Sequence, residues 1–317
     1  MRTIACDAAI RESSSMLKRL AHPAVLLLLT AFIWGANAVA GKLSVGHISP
    51  MSLTLLRWVG ALILLFPFAR PHVQRDRPTI RRHWLYFVGL GLLGFTSFNA
   101  LFYVAMGYTS AINAMIIQAA MPLVVFVGMF LFFHIRVSVL QVVGFALTLV
   151  GVLLVASHGH PETILALDFN IGDAMILAST TIFGVYTILL SRKPRVHWLS
   201  SIFMLSLGGA LGAVPLLAWE VSAGLSFAPD ARGLLILAFT ILFPSILSQA
   251  LYIKGVEMIG ANRANIFVNT VPVFGAILAV LILAEPFHAY HLAALSLVLG
   301  GIALAERGKR AAQPAAE

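Results

Sequence analysis

NALFYVAMGYTSAINAMIIQAAMP, residues Asn99 to Pro122, and QALYIKGVEMIGANRANIFVNTVP, residues Gln249 to Pro272, align without a gap at a spacing of 150 residues. Ala100, Leu101, Ala111, Ala114, Ile116 and Pro122 recur as Ala250, Leu251, Ala261, Ala264, Ile266 and Pro272. The amide Asn99 meets the amide Gln249, and further on Gly151 recurs as Gly301. Apolar chains match one another by chance more often than soluble ones, so the weight rests on the matched proline, the amide pair and the unbroken register. At an offset one residue shorter, Trp34 to Asn37 (WGAN) falls on Phe183 to Tyr186 (FGVY). The chain is therefore read as two copies of one unit.

Composition says where those copies reside. The chain is 60% hydrophobic and 10% charged, with a mean hydropathy of +0.95; soluble domains carry about a quarter of their residues as charges. Runs such as HPAVLLLLTAFIWGANAVAG (His22 to Gly41) and LQVVGFALTLVGVLLVA (Leu140 to Ala156) are continuously apolar rather than alternating. Roughly 20 such residues cross a bilayer as helix, whereas a barrel strand alternates over about ten. The expectation is an all-α membrane protein.

Ten spans are read: Ala24 to Gly41, Met51 to Phe68, Trp84 to Val104, Thr109 to Phe133, Val137 to Ala156, Ile171 to Leu190, Leu199 to Trp219, Leu234 to Lys254, Ala261 to Leu283 and Tyr290 to Ala305. Five spans per copy, an odd number, insert the second copy upside down relative to the first. The Lys and Arg residues test this topology. With the N-terminus cytoplasmic, 18 of the 21 fall on inner segments; Lys42 and Arg232 lie outside and Arg57 inside the bilayer. That bias favours both termini in the cytoplasm of a cell with a plasma (inner) membrane. It also accounts for the net charge of +9 without a nucleic-acid partner. The expected organisation is a cytoplasmic tail over 1–20, five-span units over 24–156 and 171–305, and a second tail over 306–317. Lys18, Arg19 and the following apolar run resemble a signal peptide ending in AVAG, but cleavage after Ala40 would spoil the charge count. Met16 is an alternative start.

Inverted repeats of five spans are characteristic of secondary transporters, whose solute sits near the midplane between the two halves. IWGANAVAGKL (Ile33 to Leu43), LTLLRWVGALILL (Leu53 to Leu65), SAINAMIIQAAMPLVVFVGMFLFF (Ser110 to Phe133) and LQVVGFALTLVGVLLV (Leu140 to Val155) resemble the EamA repeat of the drug/metabolite transporter superfamily. The likeness covers nearly the whole chain from Ala24 to Ala305. It implies a ten-helix exporter of amino acids or related metabolites, working by alternating access, with YddG-type aromatic amino acid exporters as the best-known shape. One departure is visible. Where the family often carries an acidic residue after the fourth span, this chain has His134 to Arg136 (HIR), although the second copy keeps Glu285.

Polar side chains within spans mark candidate solute contacts, because they cost free energy unless they face a bundle interior or a wet cavity. Asn99 and Tyr103 share a face of the third span, Gln249 and Tyr252 a face of the eighth, and Asn265 and Asn269 a face of the ninth. Gln118 lies on the fourth, and Trp34 with Asn37 and Phe183 with Tyr186 lie at equivalent depths in the first and sixth. The set reads as a pocket with aromatic walls and amide hydrogen bonds for a zwitterionic or partly apolar solute. The alternative is that these amides merely bond across helices. Pro122 and Pro272 are expected to kink their helices and to act as hinges. The glycines Gly89, Gly91 and Gly94, and Gly208, Gly209 and Gly212, are expected to let helices approach closely.

Arg57 is the one fixed charge at depth, about 10 Å along its span at roughly 1.5 Å per residue. It either meets a solute carboxylate or bonds to backbone carbonyls and helix ends. The position in the second copy is Ser206. Asp173, Glu220, Glu257 and Glu285 all fall at span ends, so no carboxylate stands at a midplane to carry protons, and facilitated movement is at least as well supported as proton antiport. No metal set is read: the histidines of HGH (His158 to His160) lack a third ligand, and the single cysteine, Cys6, excludes an internal disulfide. No cofactor is expected, the partners are a small solute and the lipid bilayer, and the chain is expected to be monomeric. No catalytic constellation points to an intramembrane enzyme, and a receptor has no need of the repeat. An exporter of lipophilic cations remains the alternative within the superfamily, although Arg57 opposes it.

Overall fold

The computed structural model describes residues 22–133, 138–160, 170–259, 264 and 267–312. The tail at 1–20, the motif at 134–136 and the candidate contact Asn265 lie outside them. Among the described residues there are helices and no strands. In chain order they are α1 (Pro23–Leu43), α2 (Pro50–Arg75), α3 (Arg77–Arg82), α4 (Trp84–Ala105), α5 (Ala111–Gln118), α6 (Met121–Phe133), α7 (Val139–Ala156), α8 (Ile171–Leu190), α9 (Trp198–Ser222), α10 (Ala231–Ile259), α11 (Val271–Leu283) and α12 (Ala289–Ala312). Eight of these are long and apolar enough to cross a membrane, and the shorter apolar helices Ala111–Val125 and Val271–Leu283 fall in the fourth and ninth spans.

Those two spans are interrupted rather than kinked. Ala119 and Ala120 form a turn between α5 and α6, and Asn269 and Thr270 form the equivalent turn before α11. Pro122 and Pro272 then sit at the second residue of the restarted helices. The expected kink is therefore a restart. A proline in a first helical turn has no amide hydrogen to lose, and its fixed φ suits the opening of a helix.

The repeat has a second structural signature. α4 contains a π-helical turn over Leu92–Ser97, and α10 contains one over Ile241–Leu247. The 150-residue offset superposes them, placing Gly94 on Pro244 and Phe95 on Ser245. Both centres carry a poor helix former, and a π turn absorbs one extra residue by leaving carbonyls outside the regular ladder.

The two copies interlock. α2 packs along α9, α7 along α12, α1 against α10 and α11, and α8 against α4 and α6. The α7–α12 seam is made by glycines: a Cβ on Gly144 would lie 2.4 Å from the Gly301 carbonyl oxygen, and one on Gly301 would lie 2.4 Å from that of Gly144. Gly91 and Gly208 serve the α4–α9 contact in the same way, whereas Gly89 faces open space.

Carboxylates close the helix ends across the copies. Glu220, at the end of α9, accepts the Met51 amide (3.2 Å) and the Ser49 hydroxyl (2.6 Å) at the start of α2. Asp76, just beyond α2, accepts the His197 amide (2.8 Å) at the start of α9. Glu285 accepts the amides of Ala111 (2.8 Å) and Ile112 (3.0 Å) at the start of α5. Each satisfies donors that a helix N-terminus leaves unpaired and sits at its positive end. The charges at span ends thus have a structural role that their sequence positions alone leave undefined.

Candidate functional site

Arg57 projects from the start of the third turn of α2 into the bundle and is 5% exposed. Its Nε donates to Ser245 Oγ (2.6 Å), and its Nη1 donates to Asn99 Oδ1 (3.0 Å), Tyr103 Oη (2.5 Å) and Asn37 Oδ1 (3.4 Å). Nη2 carries no hydrogen bond among the described residues, and none of their carboxylates pairs with this guanidinium. A buried cation held by neutral oxygens and by the face of Trp58, whose ring centroid lies 4.8 Å from the guanidinium carbon, is a site of unbalanced positive charge. Removing such a group from water is costly, and the four acceptors offset that cost only in part.

The local fold explains why these groups converge. Asn99 and Tyr103, one turn apart on α4, present the same face. Asn99 Nδ2 is anchored on the Phe95 carbonyl (2.7 Å), which leaves Oδ1 turned to Arg57. That same carbonyl, within the α4 π turn, accepts the indole of Trp58 (3.0 Å). In the α10 π turn, Ser245 donates to the Thr240 carbonyl (2.7 Å), which orients its oxygen lone pairs toward Arg57. Adjacent residues of α2, Arg57 and Trp58, are thus bonded to the two equivalent π turns.

Aromatic rings flank this polar node. Trp58 stacks on Phe95 with centroids 4.0 Å apart, Phe95 approaches Tyr186 at 6.1 Å, and Tyr186 approaches Phe183 at 5.1 Å. Gly94 makes room for Tyr186, since a Cβ there would come within 2.5 Å of the ring. On the other side Trp34 donates to Ser248 Oγ (2.9 Å) and lies 5.5 Å from the ring of Tyr252. Two cavities open at the ends of the bundle. One, of about 170 Å³, is lined by residues including Tyr108, Asn113, His158, Glu285, His288 and Tyr290; the other, of about 350 Å³, by His72, Arg75, Asp76, Arg195, Val196 and His197.

The structure therefore brings Asn37, Arg57, Asn99 and Tyr103 into direct contact and places Trp34, Tyr186 and Tyr252 among the flanking aromatics. Gln249 is half-buried, and Gln118 buries its Nε2 without a partner among the described residues. Asn269 is engaged elsewhere, its amide donating to Glu306 on α12 (3.1 Å). Pro122 and Pro272 stand at the helix restarts described above. Ser245 was not among the residues read from sequence. Its signal was its position, opposite Phe95 in the repeat and beside Pro244, but a serine in a span is ordinary and the π turn is not visible in hydropathy.

A family model for the EamA-like transporter family matches residues 22–157 and again 170–306. The chain belongs to the EamA-like transporter family. It is 27% identical to an uncharacterized transporter of Bacillus subtilis, YyaM, over 88% of this chain and 91% of that protein. It is 25% identical to the uncharacterized inner membrane transporter YicL of Salmonella typhimurium, covering 82% of this chain and 87% of the relative. A solved structure titled only as a crystal structure of a protein superposes with a TM-score of 0.62 at 19% identity, over 91% of this chain and 98% of that one, and so shares the fold. Family membership makes the protein a multi-pass membrane transporter and argues against an enzyme. The Arg57 guanidinium lies where the two copies meet, bonded to Ser245 of the second.

Proposed function

We propose that this chain exports small solutes bearing a carboxylate, amino acids with aromatic or apolar side chains foremost, by alternating access between its two inverted halves. The observation that carries this reading is the Arg57 guanidinium: Nε and Nη1 are fixed by neutral acceptors, while Nη2 keeps its donors and no carboxylate among the described residues pairs with the charge. A carboxylate from the solute supplies both the missing acceptor and the missing charge, and guanidinium and carboxylate match in shape. The flanking rings of Trp58, Phe95, Phe183 and Tyr186 suit an apolar or aromatic side chain on the same solute. Pro122 and Pro272, at the helix restarts, serve as hinges, and Gln118, Gln249, Asn265 and Asn269 remain candidate lining residues. The distribution of Lys and Arg supports a plasma-membrane orientation with both termini cytoplasmic.

The test is counterflow in proteoliposomes holding the purified full-length protein, with a panel of amino acids, their esters or amides, and lipophilic cations. Aromatic and branched amino acids are expected to exchange, and the neutralised esters to exchange poorly. Exchange of lipophilic cations in preference to acids would overturn the assignment. Counterflow that persists after the proton gradient is collapsed supports facilitated movement; its loss assigns coupling to protons.

A further inference from the structure

The partners of Arg57 divide unequally between the halves. Asn37, Asn99 and Tyr103 belong to the first copy, as does Arg57 itself. Ser245 alone among the described partners belongs to the second. The guanidinium is therefore tied to its own half by three oxygens and to the opposite half by one hydroxyl. Ser245 in turn is 1% exposed and its proton is committed to the Thr240 carbonyl within the π turn. It can accept from Arg57 and has no second proton to donate elsewhere.

From this division we infer that Ser245 is a positioning residue that latches the two halves together through Arg57 in one access state and releases it in the other. α2 and α4, which carry Arg57, Asn99 and Tyr103, both pack on α9, whereas α10, which carries Ser245, packs on α1. When these two helix groups rock against each other, Asn99 and Tyr103 travel with Arg57 and Ser245 moves relative to it. A hydrogen bond of 2.6 Å does not survive a displacement of even an ångström or so, because such bonds weaken steeply beyond their normal range. A carboxylate that engages Nη2 draws the same guanidinium and competes with the hold on Nε. Occupancy of the solute site and the relative position of the two helix groups are thereby joined in one side chain. This rests on the solute-binding role of Arg57 proposed above.

The native chain has one cysteine, Cys6, so a single Cys6→Ser exchange gives a cysteine-free background. In that background Gln249→Cys, on the face one turn beyond Ser245, reports which side of the membrane reaches the centre. Its labelling by a membrane-impermeant maleimide is measured in vesicles of each orientation, with and without Ser245→Ala or Ser245→Thr. Ser245→Ala is expected to change the ratio of labelling from the two sides at least threefold and to raise KM more than it lowers the maximal rate. Ser245→Thr, which keeps the hydroxyl, is expected to restore the wild-type ratio. An unchanged ratio in Ser245→Ala overturns the latch, as does an equal change in the alanine and threonine variants. Failure of the two ideas is distinguishable: if acids keep their preference over esters while the ratio stays fixed, the latch falls and solute binding by Arg57 stands. If the ratio shifts but esters compete as well as acids, the latch stands and carboxylate recognition falls.

Discussion

The two halves share a scaffold and differ at the centre. Where the first copy has Asn37, Arg57, Phe95, Asn99 and Tyr103, the second has Tyr186, Ser206, Ser245, Gln249 and Ile253 at the corresponding places. The first set gathers a cation and three oxygen acceptors. In the second, Ser206 Oγ is buried with no partner among the described residues, and Tyr186 packs against rings. The features that preserve shape are retained in both copies: the π turns, the helix restarts at Pro122 and Pro272, and the reciprocal caps on α2 and α9. Duplication kept the mechanics and let the chemistry diverge, so that one half supplies the charge and its amide and phenol partners, while both contribute flanking rings.

That contrast can be broken most directly at Arg57. Arg57→Gln is expected to lower exchange of a carboxylate-bearing solute about 100-fold, the equivalent of about 3 kcal/mol for a buried charged contact, while the amount of protein in the membrane stays at the wild-type level. Exchange in proteoliposomes normalised to protein checks this, and an unaltered rate would make the charge structural. The α7–α12 seam between the halves gives the next effect. Gly144→Ala drives a methyl into the Gly301 carbonyl and is expected to cost about 1–3 kcal/mol, read as a lower Tm in detergent. Gly300→Ala, which faces open space, is expected to leave Tm unchanged or raise it slightly.

The amides compare the halves residue for residue. Asn99→Ala is expected to reduce exchange about tenfold, since it removes an acceptor from a charged donor, a contact worth about 1.5–3 kcal/mol. Gln249→Ala is expected to change solute preference with no more than about a twofold loss of rate, because Gln249 makes no such bond among the described residues. Equal effects would show that the polar asymmetry has no functional weight.

The smallest effect is expected at the Asp76 end, where the rings of His72 and His197 stack 3.6 Å apart at 6°. Burial, and then the neighbouring His72, hold the His197 imidazole below its usual 6.5. The neutral ring is thus the form favoured by the fold. Its contribution is fully present above pH 6.5 and is lost as the pH falls through the depressed folded value. Thermal stability should therefore decline slightly more on acidification in the wild type than in His197→Gln.

Much of this was legible in the sequence, and the rest was hidden for identifiable reasons. The apolar runs and the 150-residue register disclosed the spans and the inverted repeat, because hydropathy and duplication are properties of the chain alone. Asn37, Arg57, Asn99 and Tyr103 were readable as candidates because polar groups are scarce in spans, and they converge. The π turns were not readable, since Gly94 and Pro244 weaken a helix in many ways and only packing selects this one. Glu220 and Glu285 were legible as charges at span ends and Asp76 was not singled out, because a cap bridging helices distant in sequence has no local pattern. Asn269 shared a helix face with Asn265, yet its partner is Glu306, which sequence had placed in the C-terminal tail.

The reciprocal caps make each half depend on the other. Glu220 completes a helix that begins at Pro50, and Asp76 completes one that begins at Trp198, so neither half closes its own backbone. A single repeat expressed alone would leave those amides unsatisfied at a helix terminus. It would be complete only beside an oppositely inserted copy of itself. The covalent fusion of the two halves therefore keeps each capping carboxylate within reach of the helix it closes.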